Sequence, residues 1–396
     1  MRSAVATVHE FDDVSGAARA LLDAVEGQVV LQEHSLGILW CDADADGAAI
    51  SAEIERVSGI PVAGMTSLAL FSTEGYQEGA VVLTVLTSDD VRFTLAATAP
   101  FDDSYEQEIA DVYQRLLPAD AAPDERPALM FAFCPNGMPF SGDKYADILG
   151  ALSGNAPIIG GVSSDDYDYE RARVFLRGEE HRDALVCACV WGEVRPVFAI
   201  RHVTSQFAER IRRVAEAKDN LVYRVGDETF VEYLEGFGLR TDVPDPLVSF
   251  TQYPMMLTQE DGDDETPIMR HIAGLDLETG MGTFIADVPV GAQANICLVG
   301  RDDLKVSARE SMDILLKKMG EQTGYEYSAV ICISCGGRAL ILGNDADAEG
   351  TILTGMLPGR MTLSGAYGLG ELCPTRYADG VATNRFHNCS ITFCAL

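Results

Sequence analysis

Ala329-Val-Ile-Cys-Ile-Ser-Cys-Gly-Gly-Arg338 decides how the rest of the chain is read. The apolar run Ala329 to Ile333 has the length and β-branched content of a buried strand, and it closes on Ser334-Cys335 before a glycine pair and an arginine. Two similar runs lie far upstream, Leu36-Gly-Ile-Leu-Trp-Cys41 and Ala128-Leu-Met-Phe-Ala-Phe-Cys134. Each passes through a polar segment into a helix-compatible stretch and then a second apolar run that stops at glycine. Those second runs are Ile60-Pro-Val-Ala-Gly64, Ala156-Pro-Ile-Ile-Gly160-Gly161 and Met361-Thr-Leu-Ser-Gly365. A strand, helix, strand, glycine unit thus occurs three times, and recurrence of this length constrains the whole architecture. If the units are equivalent, Gly64, Gly160 and Gly365 end equivalent strands.

Outward from these units the pattern is mixed. Val14 to Glu26, Ser104 to Leu117 and Arg301 to Gly320 have helical spacing, and helices near 48–57 and 143–152 join the strands of the first two units. Ala80–Leu86 and Val91–Ala97, separated by Thr87-Ser-Asp-Asp90, read as a hairpin, whereas 211–225 fits either a helix or a hairpin turning at Lys218-Asp-Asn220. Further strands are expected in 173–202 and 255–299. Many strands mixed with helices, and hairpins in place of strict strand-helix alternation, disfavour a strict doubly wound fold. They predict an α+β, layered α/β protein of largely antiparallel mixed sheets with helices packed outside, its units distributed over two domains, 1–240 and 241–396.

Composition narrows the function classes. An apolar fraction of 47% with 23% charged residues suits a globular chain of 396 residues. A formal charge of −32 repels phosphate backbones and anionic surfaces, so neither nucleic acid nor a membrane is an expected partner. No apolar stretch approaches the roughly 20 residues of a membrane helix. The start, Met1 to Glu10, lacks the apolar core of a signal peptide, and a cytoplasmic location is expected. The ten cysteines sit mostly inside apolar runs, as buried free thiols do. Cys332 and Cys335 have Cys-x-x-Cys spacing, but within a strand and without a second pair to complete a zinc site.

Several motifs carry two readings. Asp42, Asp44, Asp46, Gly47 and Glu53 match a calcium loop letter for letter, yet a strand precedes them where a helix is required; the alternative is a polar turn that caps the next helix. Asp261 to Glu265 reads as a solvated loop tip. No phosphate-binding glycine pattern follows a strand, the six histidines show no metal-like spacing, and no cofactor, metal site or catalytic constellation is expected. A cysteine-dependent hydrolase or transferase using Cys335 or Cys134, with His387 or His202 as base, is the alternative in a different class. The third unit holds the better constellation. Arg338 follows Cys335-Gly336-Gly337, and Gly370-Glu371 follows the second strand of the same unit. Arg338 offers a fork to a carboxylate and Glu371 an acceptor to an ammonium, so the two are expected in one partly exposed cleft with Cys335 at its floor and Arg270 contributing. The competing reading is a structural Arg338–Glu371 ion pair.

At these residues the chain resembles the FIST family, sensory modules with an N-terminal FIST domain and a FIST C domain. The C-terminal likeness rests on Ile331 to Arg338, Leu340-Ile-Leu-Gly343, Glu349, Gly370-Glu371, Phe386-His-Asn388 and Ile268-Met-Arg270. The N-terminal likeness rests on Ala156 to Gly161, Val174-Phe175 and Leu185 to Gly192. A glutamate usual in the first unit is missing from Gly64-Met-Thr66-Ser67, so a ligand contact through it is not expected. The resemblance implies a sensor of a small ligand, an amino acid or similar metabolite, that passes its signal to a separate protein.

Overall fold

The computed structural model of the chain describes all residues except 103, 123, 124, 139, 203–209 and 259–266. Three units of one connectivity follow each other. The first is β1 (Arg2–Val8), α1 (Val14–Glu26), β2 (His34–Asp42), α2 (Gly47–Ser58), β3 (Val62–Ser67), the hairpin β4 (Leu70–Ser72) and β5 (Gly75–Gln77), and β6 (Val81–Ser88). The second repeats it as β7 (Arg92–Ala97), α3 (Tyr105–Leu116), β8 (Leu129–Cys134), α4 (Asp143–Leu152), β9 (Ile158–Val162), β10 (Val174–Leu176), β11 (Glu179–His181) and β12 (Val186–Trp191). The third opens with β13 (Val197–Arg201) and is then interrupted by β14 (Arg212–Lys218), β15 (Leu221–Val225), β16 (Glu228–Thr229), α5 (Phe230–Glu235), α6 (Pro246–Ser249), β17 (Met255–Thr258), β18 (Ile268–Arg270), β19 (Ile272–Asp276), β20 (Met281–Phe284) and β21 (Gln293–Ile296). It resumes with α7 (Arg301–Glu321), β22 (Ala329–Cys335), α8 (Gly336–Leu342), α9 (Ala348–Met356), β23 (Thr362–Gly368), β24 (Glu371–Ala378), β25 (Val381–His387) and β26 (Ile391–Ala395).

The units form three sheets of one strand order, β1-β6-β2-β3-β10-β11, β7-β12-β8-β9-β24-β25 and β13-β26-β22-β23-β4-β5. Each sheet takes its terminal hairpin from another unit, and the exchange is cyclic: the first unit's hairpin completes the third sheet, the second's the first, and the third's the second. The parallel pairs are β2–β3, β8–β9 and β22–β23, each bridged by helix; the other pairings among the described residues are antiparallel. Strands on either side of residue 240 therefore share sheets, as β13 does with β26 and β9 with β24.

Alternation along the central strands explains the layers. Leu36, Ile38 and Trp40, Leu129, Phe131 and Phe133, and Ala329, Ile331 and Ile333 meet in one core between the three sheets. Leu39 and Cys41 turn outward under α1 and α2, Met130 and Cys134 under α3 and α4, and Val330 and Cys332 under α7 and α9. With both faces covered, these strands must be apolar throughout, which is why each reads as an unbroken run.

Gly64, Gly160 and Gly365 are register partners of Leu39, Ala132 and Cys332 in the three parallel pairs. A Cβ at any of them would overlap the carbonyl oxygen of that partner, and only glycine fits. The three are equivalent as expected, but they lie inside their strands rather than ending them. The same register makes Ser334 the equivalent of Cys41 and Cys134, and shifts Cys335 one position on. One further expectation changes and one open alternative is resolved. β6 and β7 enter different sheets and form no hairpin, because β7 pairs with β12. Residues 212–225 form a hairpin, with Asp219 at φ 53° in its turn.

The insertion between β13 and α7 is one antiparallel sheet of order β18-β17-β21-β14-β15-β20-β19, with β16 beside β15. Its edge strands β18 and β19 are consecutive in the chain and separated by His271 alone, so the sheet curls until its edges meet there. Phe230, Tyr233, Phe250, Met255 and Phe284 fill its interior. This closure delivers Arg270 and His271 to the end of β25.

Candidate functional site

At the ends of β22 and β26 three inward positions of the third unit differ in kind from their equivalents. Where the first two units have Asp42 and Pro135, it has Cys335; where they have Ala80 and Ala184, it has Ser390; where they have Leu70 and Val174, it has Glu371. The three side chains form one network. The Cys335 amide donates to the Ser390 carbonyl at 3.0 Å, and Ser390 Oγ donates to Glu371 Oε2 at 2.6 Å. The Cys335 thiol lies against the same carboxyl. His271 completes the group with Nε2 3.8 Å from Cys335 Sγ. Gly337 allows that approach, since a Cβ there would stand 2.8 Å from the imidazole nitrogen.

All four side chains are buried. Burial, opposed by the Ser390 hydrogen bonds, pushes the Glu371 carboxyl up to about 8, and Oε1 has no partner. Burial lowers His271 to about 4, and burial with the neighbouring Glu371 raises the Cys335 thiol well above its ordinary value. The cluster is therefore neutral near pH 7. His387 lies directly across from Glu371 on β25, and its ring centroid is 5.3 Å from that of His202. Burial holds His387 neutral as well, at about 3.

Arg338, expected at the rim of a partly exposed cleft beside Glu371, is instead fully buried and paired with Glu349. Its Nε and Nη2 donate to Glu349 Oε1 at 2.8 and 2.5 Å, and Nη2 also reaches the Leu304 carbonyl and Ser307 Oγ, each at 3.1 Å. Glu349 Oε2 accepts from Ser334 Oγ and the Tyr367 hydroxyl, both at 2.8 Å. Helical spacing is the reason: Arg338 lies in α8 and turns toward α7 and α9, while Glu371 continues the inward face of β24. Gly336 packs against Leu68 and the Gly368 carbonyl, and the Gly370 carbonyl accepts from Val162 N at 3.0 Å. Both glycines tie strand ends together.

Arg270 lies elsewhere, on the opposite side of the β18 end from His271. Its guanidinium donates to the carbonyls of Asp287 (2.8 Å), Met269 (3.2 Å) and Phe386 (2.9 Å) and to Asp143 Oδ1 (2.8 Å). It borders a cavity of about 390 Å³ between the insertion and α4. Asp287 there pairs with Lys144 at 3.4 Å. Asp147, Asp219 and Arg385 also line the cavity, and the Arg385 side chain has no hydrogen-bond or ion-pair partner among the described residues. Burial and the nearby Asp143 raise the Asp147 carboxyl.

The calcium pattern is used otherwise. Asp46 caps α2 by accepting from Ala49 N at 2.9 Å, Asp42 accepts from Asp44 N at 2.9 Å, and Glu53 is held by Arg56. Among the described residues no group of three His, Cys, Asp or Glu side chains is placed to hold a metal ion. Asp261 to Glu265 lies outside the described residues. Cys134 is buried beneath α4 with no imidazole bonded to it among the described residues, and the imidazole at Cys335 is His271 rather than His387 or His202. His271, Ser390 and Arg385 were missed in sequence because each joins its site through tertiary packing; only the adjacency of His271 to Arg270 hinted at it.

The described residues form three strand-exchanged units with an inserted sheet, with polar groups concentrated where the insertion meets the third unit, and no described helix is long and apolar enough to cross a membrane. The chain belongs to the FIST family. Its residues 35–228 match the FIST N domain and 228–374 the FIST C domain, sensory signal-transduction domains that bind small ligands. No curated protein matches it. Among solved structures it is similar to one described as "Cyanuric acid hydrolase: evolutionary innovation by structural concatenation", at 10% identity and a TM-score of 0.34 over 100% of this chain and 99% of that one.

Proposed function

We propose that the protein senses an amino acid or a similar zwitterion, bound in the cavity between the insertion and α4. The observation that carries this is Arg385, which has no hydrogen bond or close ion pair among the described residues, lies in the field of Asp147 and faces the same space as Asp147 and Asp219. Asp143 and Asp287 are already matched by Arg270 and Lys144, while the Arg385 guanidinium and the Asp147 and Asp219 carboxylates line the space without a close ion pair among the described residues. An arginine fork takes a carboxylate through two parallel hydrogen bonds, and an acidic wall takes an ammonium. The cavity volume, about 390 Å³, lies in the range of small-molecule sites. Arg270 serves as a fixed floor, its donors committed to the protein. A ligand here bridges the insertion to the second unit, which gives the signal a route to a separate output protein in a cytoplasmic setting.

The test is a thermal-shift screen of the amino acids. A ligand at 100 times its dissociation constant stabilises the native state by about 2.7 kcal/mol. At least one amino acid should raise the melting temperature of the native protein, and Arg385→Ala should abolish that shift without lowering the unliganded value by more than a degree or two. A shift unchanged in Arg385→Ala moves the ligand away from this cavity.

A further inference from the structure

We propose that Cys335 is a nucleophile, with His271 as its base and Tyr167 as a latch over it, and that it adds reversibly to small aldehydes. Three independent observations carry this, and none depends on the arginine cavity.

The first is the comparison of the protein with itself. A scaffold built three times shows what its strand ends need for folding, and where the third unit has Ser390 and Glu371 the other two use alanine and aliphatic side chains, with Asp42 and Pro135 at the place of the thiol. Only the third substitutes Ser390 and Glu371 for them and sets a thiol between them. Folding alone does not ask for this, because burying such groups costs free energy that an alanine and a leucine do not.

The second is the geometry at sulfur. His271 Nε2 stands 3.8 Å away, and the backbone amides of Cys389 and Gly337 point at the sulfur. Cys389 holds φ at 56°, a conformation uncommon outside glycine, and this turn brings its amide to bear. A neutral imidazole beside a protonated thiol is the resting state of a general-base pair: the base takes the proton only as the new bond forms. The neutral Glu371 carboxyl supplies a donor for an oxyanion developing next to it.

The third is the latch. Tyr167 donates its hydroxyl to the Gly336 carbonyl at 2.9 Å, beside the thiol. Tyr167 and Tyr169 both hold positive φ, 69° and 61°, which is rare for bulky residues. The loop is kept so by Asp165, whose carboxylate accepts from the amides of Tyr169, Arg171 and Ala172 at 3.1, 2.9 and 3.2 Å. The Tyr167 hydroxyl is thus tied to the Gly336 carbonyl by one hydrogen bond, and Asp165 sets the turn that carries it.

These features select the reactant. Cys335 is 3% exposed with Tyr167 beside it, so its reactant must be small. Addition to an aldehyde suits so enclosed a thiol because nothing has to leave. The sulfur–carbon bond forms as the carbonyl π bond breaks, and the thiol proton passes through His271 Nε2 to the former carbonyl oxygen. The product is a hemithioacetal; no oxidant, reductant or leaving group is involved.

The experiment uses the native full-length chain, iodoacetamide, and site-resolved mass spectrometry of all ten cysteines. Cys335 should be alkylated faster than Cys134, a buried thiol with no imidazole bonded to it among the described residues. His271→Gln should slow Cys335 by about 100-fold, the scale of general-base assistance. Tyr167→Phe, which removes only the latch hydroxyl, should speed it several-fold, and it serves where His271→Gln does not fold. Acetaldehyde should slow alkylation of Cys335 and of no other cysteine, with full recovery on dialysis. Equal rates at Cys335 and Cys134 overturn the nucleophile, an unchanged rate in Tyr167→Phe overturns the latch, and selective labelling that acetaldehyde leaves untouched overturns the aldehyde.

Discussion

Glu349→Gln isolates the interaction that fixes the third unit's helices to its sheet. Arg338 and Glu349 are both fully buried, and through Leu304, Ser307, Ser334 and Tyr367 their network joins α7, α8 and α9 to β22 and β23. Glutamine keeps the shape and one oxygen but removes the negative charge, and so leaves a guanidinium in the interior without its counter-charge. Breaking a buried pair from one side costs about 3–5 kcal/mol, whereas an exposed pair such as Arg360–Glu326 is worth at most about 1 kcal/mol. Urea unfolding should therefore show a lower midpoint at unchanged slope, with a loss of about 3–5 kcal/mol. Replacing both partners by apolar residues, Arg338→Met with Glu349→Leu, should recover most of that loss, because no charge then remains to be solvated. A single-variant loss below about 1 kcal/mol would falsify the account, since it would mean that water reaches the pair. If Arg338 instead contacted the ligand, its conservative loss would change ligand affinity and leave the midpoint nearly in place.

Gly160→Ala should cost more than about 3 kcal/mol or prevent folding, since its Cβ would overlap the Ala132 carbonyl, whereas Gly320→Ala, with open space around its Cβ in α7, should stabilise by about 0.5–1 kcal/mol; thermal melts of the two give opposite signs if the strand approach is real. For Glu371 the folded carboxyl, at about 8, holds its proton to higher pH than an unfolded glutamate near 4.3. Its contribution is complete below about pH 4, declines as pH rises to about 8 and is level beyond. The melting-temperature difference between the native protein and Glu371→Gln should therefore change between pH 5 and 8 and stay constant above about 9; a difference independent of pH refutes a protonated Glu371. For His271 the order is reversed: its lowered value, about 4, makes stability fall as pH drops from about 6.5 toward 4, which a His271→Asn variant should lose.

Much of the fold was legible because burial on two faces writes itself into sequence. The runs ending at Cys41, Cys134 and Ser334-Cys335 are apolar throughout since helices cover one side and the other sheets cover the second, and the glycines recur because a neighbouring carbonyl occupies the place of a Cβ. Helices such as α4 and α7 followed from their periodicity. What sequence reasoning lacked was the partner of each edge. Nothing local in Leu70–Ser72 or Glu371–Ala378 states that these hairpins leave their own unit, and β6 and β7 looked like a hairpin because a turn is local and strand pairing is not.

The site divides along the same line. Composition and motif marked Cys335, Arg338, Glu371 and Arg270 as chemically unusual, and each holds a specific polar role. The sequence could not say which acid meets which base. Arg338 and Glu349 are 11 residues apart and meet through the turn between α8 and α9, whereas His271 and Cys335 are 64 apart and meet only because an inserted sheet closes on itself at His271. Periodicity is set by the geometry of one strand or helix, and so one chain segment reveals it. Proximity across units is set by how segments pack, and that is decided only when the whole chain has folded.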